Sequence, residues 1–496
     1  MTRSRLIHIP TSFDLNFQDE IFHITQTQRY CAGEWTTWDP KITTFPGLYI
    51  YAALVQKAYA LMLPYWPLTE VSLPEPCSME ALRWSQLPIA IGLAIAVLKL
   101  LRKIYSELPE SESVALVAAS ILFFPPLYFY NFMFYTDTIS LFWVLMTYIA
   151  AINARLGKPN SPMPGRMTAF FGTLAILCRQ TNIVWLFFAV VHTSLLPQRA
   201  EIDLKQWRQD RSDATARPDV IELGMQEESP RPFELGWRPE LAHVKSVLFS
   251  PPRLGSILIN HAASLLVALA FVAFVYWNGG VVVGDREHHV PVKHWAQFLY
   301  WTAFVLFGLC MPSLIVHVVN CRERYRSGRK FAKLVLAFIS LSALSWWIVK
   351  NFTYVHEFIL ADNRHFIFYI RRKLGSYSQW VTPLYAFATI ALFVLPQFTK
   401  NVPLQLRRLG TLLLFICTAL TIVPSKLVEF RYYLIPATLY YLYVHDHVMY
   451  INTSRWPRGL YIIQVLAFML VNSWLLNLYL NKPFVWDDGT TARFMF

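Results

Sequence analysis

Stretches of about twenty mostly apolar residues recur from residue 87 to residue 480, and nothing constrains this chain more. An α-helix needs that length to cross the hydrocarbon of a bilayer. In lipid, moreover, only helices and closed barrels satisfy every backbone amide. The runs lie at residues 87–101, 114–135, 139–152, 257–277, 295–319, 334–349, 380–398, 411–423, 432–444 and 460–480. Residues 168–196 are too long for one helix and are divided at Arg179-Gln180-Thr181-Asn182 into two short spans. The pattern predicts an all-α polytopic membrane protein of about twelve transmembrane helices, built as one domain over residues 1–496. An earlier run, 45–66, is interrupted by Gln56 and Lys57 and reads as an interfacial or re-entrant helix within a first loop spanning 14–85. Residues 197–252 are of mixed charge, contain proline and lack helical periodicity, so 197–255 is expected to be a partly disordered cytosolic loop.

The chain carries 44 Lys and Arg against 31 Asp and Glu, a net charge of +13. Such an excess can mark a nucleic-acid binder, but here it concentrates in short loops between apolar runs, at 99–103, 155–166, 322–333, 400–408 and 455–458. The positive-inside rule assigns those loops to the cytosol, so the charge reads as topology with membrane lipid as the partner, and no nucleic acid. The alternate loops hold the unusual chemistry: 135–137, 179–182, 278–293, 351–378, 424–433 and the tail from 481. All of these fall on the other side of the membrane. The sequon Asn351-Phe352-Thr353 is on that side, and Asn452-Thr453-Ser454 on the cytosolic one. Residues 1–18 lack the apolar core of a signal peptide. Cys178, Cys310 and Cys417 lie in apolar runs, which leaves Cys31 and Cys77 as candidates for a disulfide that spacing alone does not decide.

On a helix of 3.6 residues per turn, Asp19, His23, Gln26, Thr27 and Tyr30 share one polar face, with Glu20 at its margin. Two carboxylates at the water edge of a membrane suit a general base, although adjacent acids also simply favour a first helical turn. Asp-Glu-x-x-His lacks the paired histidines of a zinc helix, and no metal spacing occurs elsewhere. Asp362-Asn363-Arg364-His365 gathers an acid, an amide, a guanidinium and an imidazole. Arg364 and His365 suit phosphate oxygens, with Asp362 orienting either, or else the patch snorkels to headgroups. Lys426, Glu429 and Arg431 stand at a span boundary, where ionisable groups are expensive. Asp137 and Arg179 are lone charges next to membrane. The glycines of residues 278–286 suggest a tight strand-like loop that exposes Asp285, Arg286, His288 and His289, and it matches no phosphate-binding fingerprint.

Taken together, Asp19 to His23, Gln28 to Cys31, Trp38 to Tyr49, Arg179 to Ile183, Asn278 to Arg286, Leu360 to His365, Leu427 to Tyr432 and Arg493 to Met495 closely resemble one family. It is the endoplasmic-reticulum alpha-1,2-glucosyltransferases that add the terminal third glucose to the dolichol-linked oligosaccharide of asparagine glycosylation. The resemblance implies the GT-C membrane architecture, dolichyl phosphate glucose as donor, a dolichol-linked oligosaccharide as acceptor, a site facing the lumen, and inversion of a beta-linked donor. It implies Asp19 as base with Glu20 as rival, and Arg364, His365 and Lys426 or Arg431 balancing the phosphate, so that no metal is required. His23, Arg29, Asp39, Asp137, Arg179, Asp285, Arg286, Asp362 and Glu429 complete the implied substrate contacts. The family carries an apolar span ahead of the Asp-Glu motif, and a start codon upstream of Met1 is the corresponding expectation.

Two other classes compete. An accessory subunit modulating a channel would work through span surfaces and tolerate neutralised Asp19 and Glu20. A secondary transporter would show inverted repeats and paired broken helices, which the sequence lacks.

Overall fold

A computed structural model describes residues 18–65, 73–104, 111–156, 163–196, 237–286, 289–320, 328–356, 362–375, 378–395, 407–444, 451, 455–485, 489 and 491–496. The helices are α1 Gln18–Cys31, α2 Gly47–Met62, α3 Met79–Trp84, α4 Gln86–Ile104, α5 Ser111–Leu122, α6 Pro125–Tyr130, α7 Thr136–Leu156, α8 Met163–Cys178, α9 Asn182–Ser194 and α10 Trp237–Leu248. They continue as α11 Pro251–Asn260, α12 Ala262–Asn278, α13 Ala296–Gly308, α14 Met311–Asn320, α15 Gly328–Phe352, α16 Phe366–Leu374, α17 Thr382–Val394, α18 Arg407–Ile422, α19 Phe430–Leu439 and α20 Arg455–Asn481. A two-residue hairpin, β1 Phe484–Val485 with β2 Thr491–Ala492, precedes the C-terminal residues.

α7 is the centre of the bundle. Its apolar window is 72% buried, against 11% for Phe331–Phe352 and 17% for Trp456–Asn481. It packs on α4, α8 and α9, and the main core runs from α4 through α7 to the helices after residue 296. The peripheral helices turn large side chains outward, among them Leu266, Leu269, Val272, Leu336, Ile339, Ile463 and Leu470. In water such faces would be a severe liability, whereas against hydrocarbon they are the expected exterior. Among the described residues three helices are long and apolar enough to cross a membrane, and up to five spans result when each bent pair counts as one.

Several spans predicted as continuous are broken. The 114–135 run stops at Leu122 and restarts at Pro125, because Pro125 and Pro126 cannot continue an i to i−4 ladder but fit a helix start. Residues 251–278 bend by 69° at His261, and 296–319 bend by 75° near Cys310. The 432–444 run ends as a π-helical turn, Tyr440–Val444. The 197–255 insert is not loop throughout. Trp237–Leu248 is helical, and the buried Glu240 carboxylate accepts the Arg408 and Leu409 N–H groups, capping α18 from a distant element. Residues 197–236 lie outside the described residues, as does the second sequon.

α1, α2 and α3 form a smaller body with its own core of Ile24, Tyr30, Ile42, Leu48, Tyr49, Ala52 and Leu82. A Cys31–Cys77 disulfide ties the end of α1 to the approach to α3. On α2 one side buries Leu48, Tyr49, Ala52, Ala53 and Gln56. The other exposes Ile50, Leu54, Leu61 and Met62, as an interfacial helix would.

Candidate active site

α1 opens the site. Asp19 is on its first turn, and its side chain lies outside what the structure describes. Glu20 is fully buried, and Arg83 of α3 grips it with two parallel bonds, Nε to Oε1 at 2.9 Å and Nη2 to Oε2 at 2.6 Å. The Phe134 N–H donates to Oε1 as well, at 2.8 Å. Burial alone would lower the Arg83 pKa, but the hydrogen bond and charge of Glu20 outweigh it and hold the guanidinium above its ordinary value. The rival base expected at Glu20 is therefore a carboxylate already committed to a bidentate ion pair and a backbone amide. Three residues on, His23 shares a 2.7 Å hydrogen bond with the Tyr49 hydroxyl, and its ring meets Tyr135 edge-on at 5.7 Å.

The polar face of α1 builds the following loop rather than a surface. Gln26 donates to the Thr37 carbonyl at 2.8 Å and accepts from the Asp39 N–H at 2.9 Å. Asp39, expected to bind substrate, accepts the Lys41 N–H at 2.9 Å and so closes its own turn. Arg29 is half-buried on the last turn of α1; its carbonyl accepts the Glu34 N–H at 2.9 Å, and its side chain makes no hydrogen bond or ion pair among the described residues. The loop is then clamped from two sides. Gln180 donates to the Thr43 carbonyl at 2.7 Å, while Val283 and Asp285 donate backbone N–H groups to Thr43 and Pro40. A Cβ at Gly284 would stand 2.1 Å from the Ile42 carbonyl oxygen, so this approach requires glycine. The 278–286 loop, expected as strand-like, is a run of turns and bends after the end of α12, and it docks on residues 40–43. Arg286 turns back to the Asn278 side-chain oxygen at 2.6 Å, and His289 lies against the Asp285 carbonyl at 3.0 Å. His288 is outside the described residues.

Beside this body is a knot of charges and rings. Asp137, on the first turn of α7, pairs with Arg179, and its other carboxylate oxygen is buried with no partner. The Arg179 guanidinium lies 5.1 Å from the centre of the Tyr432 ring. Arg431 pairs with Glu429 and lies 5.5 Å from the same ring and 5.2 Å from that of Tyr135. Tyr432 thus stands between two arginines, and Tyr135 connects Arg431 to His23. Lys426 is half-buried on the adjoining loop. Gln297 holds that loop by donating to the Ser425 and Leu427 carbonyls at 2.7 and 3.0 Å.

The 362–365 segment joins the cluster indirectly. Asp362 accepts from Arg364 Nε at 2.8 Å, Nη2 at 3.0 Å and the backbone N–H at 3.0 Å, with His365 Nε2 3.7 Å away. Burial raises the Asp362 pKa, but the Arg364 hydrogen bonds and the neighbouring His365 and Arg364 charges overcome it, holding the carboxyl below its ordinary 3.8. The guanidinium fork expected to face a phosphate is closed on Asp362. The chain's last residues bridge this loop to the rest: Met495 N–H donates to the Arg364 carbonyl at 2.8 Å. The Phe496 carbonyl meets His365 Nδ1 at 2.9 Å and accepts from the Tyr130 hydroxyl at 3.1 Å. Tyr130 in turn packs against Tyr135.

Thus the Asp137–Arg179 and Glu429–Arg431 pairs meet across Tyr432, α1 joins them through Tyr135, the 362–365 loop meets them through the C-terminal residues, and Asp39, Asp285 and Arg286 brace the adjoining loops. Sequence reasoning missed Arg83, Gln297 and Tyr130. Arg83 carried a legible signal, a lone cation just ahead of an apolar run, whereas the other two read as ordinary membrane-edge polar residues.

The DIE2/ALG10 family profile matches residues 14–442. A Rattus norvegicus protein named Dol-P-Glc:Glc(2)Man(9)GlcNAc(2)-PP-Dol alpha-1,2-glucosyltransferase is 30% identical, over 97% of this chain and 93% of its own. Proteins of the same name are 30% identical in Drosophila melanogaster, over 96% and 92%, and 28% identical in Arabidopsis thaliana, over 97% and 96%.

Proposed function

This chain belongs to the DIE2/ALG10 family, and from that premise we propose that it transfers glucose from dolichyl phosphate glucose to a diglucosylated dolichyl-diphosphate oligosaccharide, forming an alpha-1,2 linkage. The observation that carries the reading to a mechanism is the pair of arginines flanking Tyr432 beside the acid-bearing helix α1. Asp19 takes the proton of the 2-hydroxyl on the acceptor's terminal glucose. That oxygen attacks C1 of the donor glucose, the C1–O bond to phosphate breaks, and the pair of electrons leaves on dolichyl phosphate, inverting the beta-linked donor. The negative charge that gathers on the leaving phosphate needs cations fixed beforehand. Asp137 occupies only Nη1 of Arg179, which leaves its other N–H groups without a protein partner among the described residues. Ion pairing to Asp137 and Glu429 holds both guanidiniums in place. The unpartnered oxygen of Asp137 suits a sugar hydroxyl. Lys426 adds positive charge at the rim, His365 offers a ring N–H to a phosphate oxygen, and the protein's own cations carry the role a metal would otherwise take. Glu20 and Arg83 position α1.

The architecture we propose is GT-C. Beside the three long helices and two bent pairs stand five shorter apolar helices, and α4 and α19 bring the spans to about twelve. We further propose an endoplasmic-reticulum membrane location, with this end of the bundle in the lumen. The accessory-subunit reading draws no support from the relatives' names.

The test is glucose transfer by purified protein in lipid nanodiscs, followed by linkage analysis of the product. Wild type should give a 2-linked glucose. Asp19→Asn should lower turnover about 10²- to 10⁴-fold, and Arg431→Ala roughly 10²- to 10³-fold. A wild-type protein that transfers no glucose would remove the function, and an undiminished Asp19→Asn would remove the base.

A further inference from the structure

A cleft of about 410 Å³ opens between α16, the end of α20 and the C-terminal hairpin, lined by Asn363, Tyr369, Trp474, Leu478, Lys482, Phe484 and Phe494. We propose that it is a carbohydrate subsite, holding a sugar residue of the acceptor glycan that lies beyond its two terminal glucoses, away from the reacting end. The inference rests on the transferase reading above.

Four of the seven side chains are aromatic, and two of them are well exposed, Trp474 at 53% and Tyr369 at 38%. Aromatic faces exposed in a concave site present flat apolar area at low entropic cost. The C–H face of a pyranose is the complementary surface, and its equatorial hydroxyls then point to the rim. Asn363 and Lys482 supply hydrogen-bond donors there. One ammonium and one amide suit a neutral, hydroxyl-rich ligand, whereas a phosphate would be drawn to the arginine-rich cluster around Tyr432. The volume falls at the lower end of small-ligand sites and matches a sugar or two.

The walls are held in advance. Phe494 packs against Tyr369 at 5.6 Å, and Phe366 meets it edge-on at 4.4 Å. Arg493, one residue earlier, donates to the Tyr479 and Leu480 carbonyls at the end of α20. Asn363 sits between the paired Asp362 and Arg364. A cleft assembled this firmly loses little ordering entropy when it binds. Its position fits as well, because Phe496 joins the same tail to His365 and Tyr130, and Tyr130 to the Tyr135 ring of the reacting end. An acceptor much larger than its reacting glucose must lay its remaining sugars along this end of the protein, where remote contacts supply binding energy.

The experiment compares wild type, Trp474→Ala and Lys482→Gln in nanodiscs with two acceptors, the full diglucosylated lipid-linked oligosaccharide and a soluble disaccharide of glucose. For the full acceptor KM should rise about tenfold in Trp474→Ala and severalfold in Lys482→Gln, with the donor KM unmoved. The variant-to-wild-type ratio of kcat/KM should be near one for the disaccharide. In parallel, a soluble diglucosylated high-mannose oligosaccharide is titrated onto each protein by calorimetry. Weaker binding in both variants supports the subsite. Equal binding in all three proteins, a rise in the donor KM, or displacement of the glycan by dolichyl phosphate overturns it. Lys482→Gln changes an exposed residue and serves where Trp474→Ala does not fold. Pocket-dependent glycan binding without glucose transfer would sink the transferase reading alone, and transfer with pocket-independent binding would sink only this inference.

Discussion

Glu20 is next to Asp19 on the same helix and chemically its equal, so only surroundings distinguish them. Removing one partner of a buried ion pair leaves the other charge uncompensated, which typically costs about 3–5 kcal/mol. Glu20→Ala should therefore lower the melting temperature of the purified protein strongly, whereas Asp19→Asn should reduce turnover with little change in melting. Equal melting of Glu20→Ala and wild type would show that the pair with Arg83 is not structural. His294 supplies a second expectation. It is fully buried, and neither ring nitrogen finds a hydrogen bond of normal geometry, although the Ser425 and Lys426 backbone runs alongside. Burial first, and the Arg371 charge with it, pull its pKa from 6.5 to about 4. The folded state thus takes up its proton later than the unfolded state as pH falls. The stability due to neutral His294 is complete above pH 6.5 and declines toward pH 4, by an amount on the order of 3 kcal/mol. Melting followed from pH 7.5 to 4.5 should show that slope, and His294→Phe should flatten it. Asp362 acts at a different pH: its depressed pKa keeps the 362–365 loop paired until pH falls below 3.8.

Among the elements, the first loop depends most on partners remote in sequence. Gly284 brings the 278–286 loop onto residues 40–43, and a Cβ there would meet the backbone oxygens of Ile42 and Pro40 at 2.1 and 2.5 Å. Backbone cannot yield as a flexible side chain does, so Gly284→Ala should part the two loops. We expect protection of the Val283 and Asp285 amides, which donate to the Thr43 and Pro40 carbonyls, to fall in hydrogen exchange, with a loss of activity of at least about tenfold. Unchanged exchange would mean that the loops hold together without this contact. The sequence marked the glycines as a tight strand-like loop, but not what they approach, because a close backbone contact leaves no trace in the partner's side chains. The same limit explains the broken spans. Hydropathy registers apolar content over residues 251–278 and 295–319, and a bend keeps that content while redirecting the axis. The 114–135 break was legible, since Pro125-Pro126 can start a helix but not continue one. At Cys31 and Cys77 the sequence offered candidates, and the fold brought their Cα atoms to 6.5 Å.

For the molecule as a whole, the proposed architecture places alternate loops at two ends of the bundle, with the chemistry at one. Single cysteines at Arg29, Arg286 and Lys482 should therefore all react with a membrane-impermeant thiol reagent from the same side of sealed microsomes. Reaction of Arg29→Cys and Lys482→Cys from opposite sides would dismantle the site. By itself the sequence determined the class of the protein, an all-α chain with membrane-length apolar helices, and the short segments that bear its charges, because apolar length and loop charge are additive along a chain. Only the tertiary structure decided which charge does what. It closed Glu20 on Arg83 and Arg364 on Asp362, set Arg179 and Arg431 about one tyrosine, and brought the last residues beside Tyr130. Whether a carboxylate is a base or a brace depends on what lies within about 3 Å of it, and across gaps of 63 residues from Glu20 to Arg83 and 366 from Tyr130 to Phe496, that distance is set by folding alone.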